Sequence, residues 1–349
     1  MTASSTFLNT RIDGQSQSEC ALWWRWLAVK LSHWHGLLLA FSICFVLWLL
    51  AGCSTAPDTP YVRLQTTNQA DVAGKERSSR KLPLRVAVAA VLSPEATFDI
   101  YGPLLDYLSA RLDRPVELLQ RATYAEINEL VRTGQADVAF ICGGAFVEGE
   151  REGYLELLAA PIVNGAMLYQ SFLIVPVASP AQELEDLRGR RFAFTDPLSN
   201  SGRLYVEHLL ATRGESPESF FGATIFTYSH DNSIQAVADG VVDGAAVDSL
   251  VYMALQERNQ ALTERVRVIQ RSPAFGIPPV VVHPELDPQL KVLLQSALLD
   301  LAADRNAAQI LGMLGVDGFA ATDPTRYDEI RQMAARIRRW PSVQSGVQP

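Results

Sequence analysis

From Leu84 onward the hydrophobic period keeps switching between two and 3.6, and that alternation restricts the fold more than any other feature of the chain. Arg85 to Val91, Val116 to Leu119, Ala136 to Cys142, Phe172 to Val177, Arg191 to Thr195, Ala223 to Thr227, Ala245 to Val247 and Val266 to Ile269 read as strands. Between them lie helical runs. Residues 97 to 112 put Tyr101, Leu104, Leu105, Leu108 and Leu112 on one face, and Thr123-Tyr-Ala-Glu126 is a capping box opening a helix that stops at Gly134. The chain ends in helical patterns over 288–302, 304–314 and 325–338. Strands alternating with helices predict an α/β protein with mostly parallel sheets.

Two segments echo each other. TYAEINELVRTGQADVAF and SHDNSIQAVADGVVDGAA each carry a polar cap, an amphipathic helix and G-x-x-D-x-A leading into a strand. Gly134, Asp137 and Ala139 recur 106 residues later as Gly240, Asp243 and Ala245. A common helix-turn-strand arising twice by coincidence is one reading. Two similar α/β lobes, closing by a hinge on a small molecule in the cleft between them, are the other.

FTDPLSNSGRLYVEHLL, residues 194 to 210, runs from a strand into Ser199, Asn200, Ser201 and Gly202, where a helix begins. The first N–H groups of a helix lack internal partners and the helix dipole is positive there. Side-chain donors beside such N–H groups make an anion site that needs no lysine. Tyr228-Ser-His-Asp-Asn232 opens the second echo helix and Tyr124 opens the first, so three helix starts could converge on one cleft. Ser201, His230 and Asp248 can also be written as a hydrolase triad. Ser201 sits in S-N-S-G, however, not in the strained G-x-S-x-G turn, and a serine hydrolase is the distant alternative.

The net charge is −8; residues 1–52, with Arg11, Arg25 and Lys30 against Asp13 and Glu19, hold +1, which leaves −9 on the remainder. So acidic a body excludes nucleic acid as a partner. An anion must then be held by neutral dipoles. LLLAFSICFVLWLLAG, residues 37 to 52, is uncharged, follows Arg25 and Lys30, and ends at Cys53, the layout of a lipoprotein signal whose cysteine is acylated. An uncleaved anchor helix is the alternative. Ser54 follows the cysteine where an aspartate could stand, as in an outer-membrane sorting signal. Residues 53–82 form a flexible polar tether. With Cys53 acylated, Cys142 stands alone and is expected as a buried core thiol. His208, His230 and His283 lack ligand spacing, so no metal and no cofactor is expected.

Y-x-x-x-I…G-x-x-D-V-A at 124–139, Leu168-Tyr169-x-Ser171, D-P-x-S-x-S-G at 196–202 and S-H-x-x-S-I-x-A-V-x-x-G-x-V-D at 229–243 together carry a resemblance to the substrate-binding proteins of phosphonate, phosphite and phosphate ABC transporters. It covers Leu84 to about Arg338. It implies a two-lobed periplasmic-binding-protein type II fold of mixed sheets flanked by helices, with lobe 1 at 83–171 plus 271–340, lobe 2 at 172–270 and a tail at 341–349. The implied ligand shell is Tyr124, Tyr169, Ser199, Asn200, Ser201 and His230. Asp248 would take a proton from P–OH, or else only cap the helix 249–258. The implied protein is a monomeric, lipid-anchored periplasmic binder that delivers a small phosphorus oxyanion to an ABC permease. A receptor serving a membrane sensor kinase is the alternative, slightly favoured by Ser54. Where aminophosphonate binders carry an acid, this chain reads Ser272-Pro-Ala-Phe-Gly-Ile-Pro-Pro279, which implies phosphite, phosphate or a methyl-type phosphonate instead.

Overall fold

The computed structural model describes residues 82–304 and 307–339. The signal segment, Cys53, the tether through residue 81 and the tail 341–349 lie outside the described residues. Contacts join the described residues into one unit, within which two large sheets divide.

The first sheet has six strands in the order β13-β4-β12-β3-β1-β2: β1 (Leu84–Val88), β2 (Val116–Gln120), β3 (Val138–Phe140), β4 (Glu156–Ile162), β12 (Val280–Val282) and β13 (Gly318–Ala320). The second has five in the order β10-β6-β9-β7-β8: β6 (Ser171–Pro176), β7 (Arg191–Phe194), β8 (Ala223–Phe226), β9 (Gly244–Asp248) and β10 (Val266–Arg271). A two-stranded ribbon of β5 (Leu168–Tyr169) and β11 (Phe275–Gly276) lies where the chain passes between them.

The strands are apolar on both faces because helices cover both faces. In β1, Leu84, Val86 and Val88 join one core cluster, while Ala87 joins the other. In β6, Phe172 and Ile174 face one way and Leu173 and Val175 the other. The helices that matter to the site are α1 (Pro94–Leu112), α2 (Tyr124–Arg132), α3 (Gly143–Arg151), α4 (Tyr205–Ala211), α5 (His230–Ala238) and α6 (Ser249–Arg258). The capping box at Thr123 and Glu126 forms, and Gly134 ends the turn after α2 at φ +66, a left-handed conformation that glycine adopts without strain.

The sheets are mixed, as the resemblance implies, and this corrects the expectation of mostly parallel pairing drawn from the alternation alone. β1 pairs parallel with β2 and β3, and β7 with β8 and β9. The pairs β3–β12, β12–β4, β4–β13, β6–β9 and β6–β10 are antiparallel. β4, β12 and β13 escaped the sequence reading. Each is only three residues long or interrupted by proline, too little for a period-two signal, and the neighbour it pairs with makes it a strand.

The internal echo is a structural repeat. Arg85 donates N–H to Asp137 Oδ2 at 2.8 Å and Nη2–H to Oδ1 at 2.7 Å; Arg191 repeats both bonds with Asp243 at 2.9 Å each. The aspartate of G-x-x-D-x-A thus ties the entry of β3 to β1 and of β9 to β7. In each half the chain leaves a central strand to opposite sides. The loops after β1, β2 and β3 therefore gather at one point and those after β7, β8 and β9 at another, where open α/β sheets bind ligands.

Candidate functional site

Residues 195–204 leave β7 and do not form an ordinary helix start. Asn200–Leu204 is a π turn, with Leu204 N–H donating to Ser199 O and Tyr205 N–H to Asn200 O. Such turns are rare and widen the helix mouth. A Cβ on Gly202 would lie 2.4 Å from Thr195 Oγ1, so the motif glycine is a packing requirement. Ser199 is the cap, its Oγ accepting the Gly202 N–H at 2.9 Å. Asn200 N–H goes to Cys142 Sγ at 3.3 Å. Ser201, the second residue of the π turn, is 1% exposed.

Around this turn lie buried polar atoms with no protein partner: Tyr124 Oη, Asn200 Oδ1 and Ser201 Oγ. Leaving such atoms unpaired is costly, and each invites a bound group. Asn200 Nδ2 and Tyr169 Oη are 2.9 Å apart, so whichever way the amide is turned the pair keeps two donor hydrogens beyond their mutual bond. Ser201 Oγ is close enough to act on the Tyr169 phenol without the geometry of a formed bond. Burial raises both phenols well above the ordinary tyrosine range, and nearby Cys142 and Asp248 add to it, so both remain O–H donors.

His230 opens α5 and is 1% exposed. Asp248 N–H donates to its Nδ1 at 3.0 Å, and Thr195 Oγ1 lies 3.1 Å from the same atom. Burial lowers the imidazole pKa to about 3. The ring is neutral with its proton on Nε2, a fixed donor. This geometry also disposes of the triad: Nδ1 is bound to a backbone amide, and so weak a base cannot activate Ser201. Asp248 ends β9 and caps α6, Oδ1 accepting from Leu250 N–H at 2.7 Å and Val251 N–H at 3.4 Å. Its Oδ1 is thus a cap, which leaves the role of Oδ2 open, and burial also raises its pKa to about 7. Among the described residues no cluster of His, Cys, Asp or Glu could hold a metal.

The two sheets' loops meet around these groups. Tyr124 N–H donates to Asp196 Oδ2 at 3.0 Å, and His230 N–H to Val91 O at 3.1 Å. Ser93 N–H donates to Asp231 Oδ2 at 3.2 Å. Gly144 is pressed so close that a Cβ there would stand 2.2 Å from Leu198 O. The start of α2 is thus occupied by the protein's own carboxylate, which corrects the picture of three helix starts open to one anion; α2 contributes the Tyr124 side chain instead. Cys142 is buried as expected, and burial raises its thiol to about 11, but it sits on the seam of the site. Thr195, Asp196 and Gly144 were not singled out from sequence. Asp196 stands inside the quoted motif, yet nothing local says that it caps a helix 72 residues away.

A family described as the periplasmic substrate-binding protein of phosphonate ABC transporters matches residues 86–327. A phosphate-import protein of Mycolicibacterium smegmatis is 29% identical over 49% of this chain and 57% of its own length, so the chain spans little more than half of that relative. A probable ABC transporter phosphite-binding protein of Prochlorococcus marinus is 23% identical over 66% of this chain and 82% of its own. Among solved structures, the binding component of a phosphonate transporter from Pseudomonas aeruginosa superposes with TM-score 0.70 at 24% identity, covering 74% of this chain and 87% of that one. A Prochlorococcus marinus protein in complex with methylphosphonate superposes with TM-score 0.66 at 22% identity, covering 73% and 98%. These likenesses establish the shared fold.

Proposed function

The chain belongs to the family of periplasmic substrate-binding proteins of phosphonate ABC transporters, and from that premise we propose that it captures one small phosphorus oxyanion between two closing lobes and passes it to an ABC permease. It is a periplasmic transport protein and not an enzyme. The lobes are 83–171 with 271–340, and 172–270. The ligand sits against Ser201 N–H and Oγ, with Tyr124, the Tyr169–Asn200 pair and His230 Nε2–H as further donors. Ser199 acts through the turn that it caps.

The observation that carries this reading is the gathering of Tyr124 Oη, Asn200 Oδ1 and Ser201 Oγ, buried and unpartnered, at one turn. No cation is among these groups, so selectivity rests on hydrogen-bond count. Asp248, with a pKa near 7, accepts the proton of a P–OH group and favours the monoprotonated anion over sulfate. The stretch 272–279 offers no acid for an ammonium group; Ser272 Oγ is engaged with Ser171 N–H at 2.8 Å instead. Phosphite, phosphate and methylphosphonate are the candidates.

Calorimetric titration with these three anions tests the reading. Micromolar binding requires about 8 kcal/mol, which several hydrogen bonds of about 1.5–3 kcal/mol to a charged group can supply. Ser201→Ala should weaken binding roughly 10- to 150-fold. Affinity should change little with added salt, because buried dipoles are poorly screened. An unchanged Kd in Ser201→Ala would place the ligand elsewhere.

We also propose that Cys53 is acylated and tethers the body to the membrane. Cys53→Ser should then accumulate as an uncleaved precursor that takes up no labelled fatty acid. Normal processing of the serine variant, seen by gel mobility, would end this proposal.

A further inference from the structure

Asp196 is a buried carboxylate, 1% exposed, that makes no ion pair among the described residues. Its Oδ1 accepts Leu198 N–H at 2.7 Å, a local turn bond. Its Oδ2 accepts Tyr124 N–H at 3.0 Å, at the first residue of α2 in the other half. That helix does not need the bond in order to form. Its own capping box is complete, with Glu126 N–H on Thr123 Oγ1 at 3.2 Å and Thr123 N–H on Glu126 Oε2 at 2.9 Å. A charged group at a helix start is favourable through the dipole, but here it comes from the opposite sheet. The Arg203 charge acts on it from a distance, but Nε of that arginine is held by Glu207 at 2.7 Å and Nη1 by Pro197 O at 3.1 Å.

We propose that Asp196 is a positioning residue whose carboxylate docks on the Tyr124 N–H when the two halves close, so that closure and ligand capture become one event. Each partner in this strut neighbours ligand groups: the Tyr124 phenol on one side and the Ser199–Ser201 turn on the other. Cys142 Sγ on Asn200 N–H and Gly144 on Leu198 O reinforce the same seam. Because Asp196 fills the positive end of α2, the anion is directed to the π turn. The strut also explains a carboxylate so near the proposed anion site: its Oδ2 is turned to the positive end of α2.

This inference rests on the oxyanion reading, and one experiment separates the two. Phosphite, phosphate and methylphosphonate are titrated onto the full-length protein and onto Asp196→Asn. Amide hydrogen exchange at Tyr124 is followed with and without the anion that binds. An asparagine can keep one of the two acceptor bonds but not both. The variant should lose about 10- to 100-fold in affinity, mainly through faster dissociation. In the wild type the anion should protect the Tyr124 amide; in the variant that protection should vanish while Leu198 stays protected. An anion that binds wild type and variant equally, or that leaves Tyr124 exchange unchanged in the wild type, overturns the strut and spares the oxyanion reading. The exchange measurement on wild type decides even where the variant fails to fold. If none of the three anions binds wild type, the oxyanion reading falls and the strut falls with it.

Discussion

Gly144→Ala should reduce affinity for the oxyanion by at least about 100-fold, roughly 2.7 kcal/mol, while leaving the unliganded fold intact. The added Cβ would lie 2.2 Å from Leu198 O and 3.0 Å from Asn200 N, both main-chain atoms of the facing turn. Carbon contacts settle near 3.5 Å, so the seam must open by roughly 1 Å or more. That displacement separates Cys142 from Asn200 and Asp196 from Tyr124, and takes the π turn away from the tyrosines. Alanine suits the first turn of α3 better than glycine, by up to about 1 kcal/mol, so thermal unfolding without ligand should hold or rise slightly. Gly102→Ala is the control, since a Cβ there meets nothing within 4 Å in α1. Titration of the two variants decides the matter: equal affinities would mean that the α3 seam is not part of the binding-competent state.

The second large effect is on the pH dependence of stability, and it depends on two buried groups working in opposite directions. The Asp248 pKa is raised from 3.8 to about 7, so the folded state holds this proton more tightly than the unfolded chain. Its contribution is fully present below pH 3.8 and is lost as pH rises through 7. His230 is lowered from 6.5 to about 3, so its contribution is present above pH 6.5 and lost as pH falls toward 3. Between about pH 4 and 6.5 the slopes oppose each other, each near 1.4 kcal/mol per pH unit, and the wild type should change little on their account. Asp248→Asn removes one of them and keeps a good N-cap side chain. Without ligand the variant should exceed wild type by about 2–4 kcal/mol at pH 8. The difference should shrink as pH falls, with His230 then driving acid unfolding unopposed. Carboxylates common to both proteins cancel, so a wild-type–variant gap constant from pH 4 to 8 would show that Asp248 carries no such shift.

Much of this candidate site is legible in the sequence because its signals are local. A Ser-Asn-Ser-Gly run after a strand and a His at a helix start each declare a backbone geometry within a few residues. Ser199 and Asp248 mark the limit of that reasoning. The resemblance implies Ser199 in the ligand shell and leaves Asp248 as either a ligand group or a cap; both have side-chain oxygens engaged as caps, at Gly202 N–H and at Leu250 and Val251 N–H. Local sequence recognises a capping residue but not whether its remaining oxygen or hydrogen faces a cleft.

The sequence by itself determined the alternation of elements, the repeat, the absence of lysine and arginine from the candidate site and the family. These depend on period, spacing and charge, which are properties of neighbours along the chain. Tertiary structure alone decided the antiparallel β4, β12 and β13, the tautomer of His230, the shifted Asp248 and the seam of Asp196, Cys142 and Gly144. Each of these exists only when segments far apart in sequence are brought within hydrogen-bonding or van der Waals distance. The Arg85–Asp137 and Arg191–Asp243 pairs show both at once: the motif announced the aspartates, but only the folded sheets supplied an arginine 52 residues away.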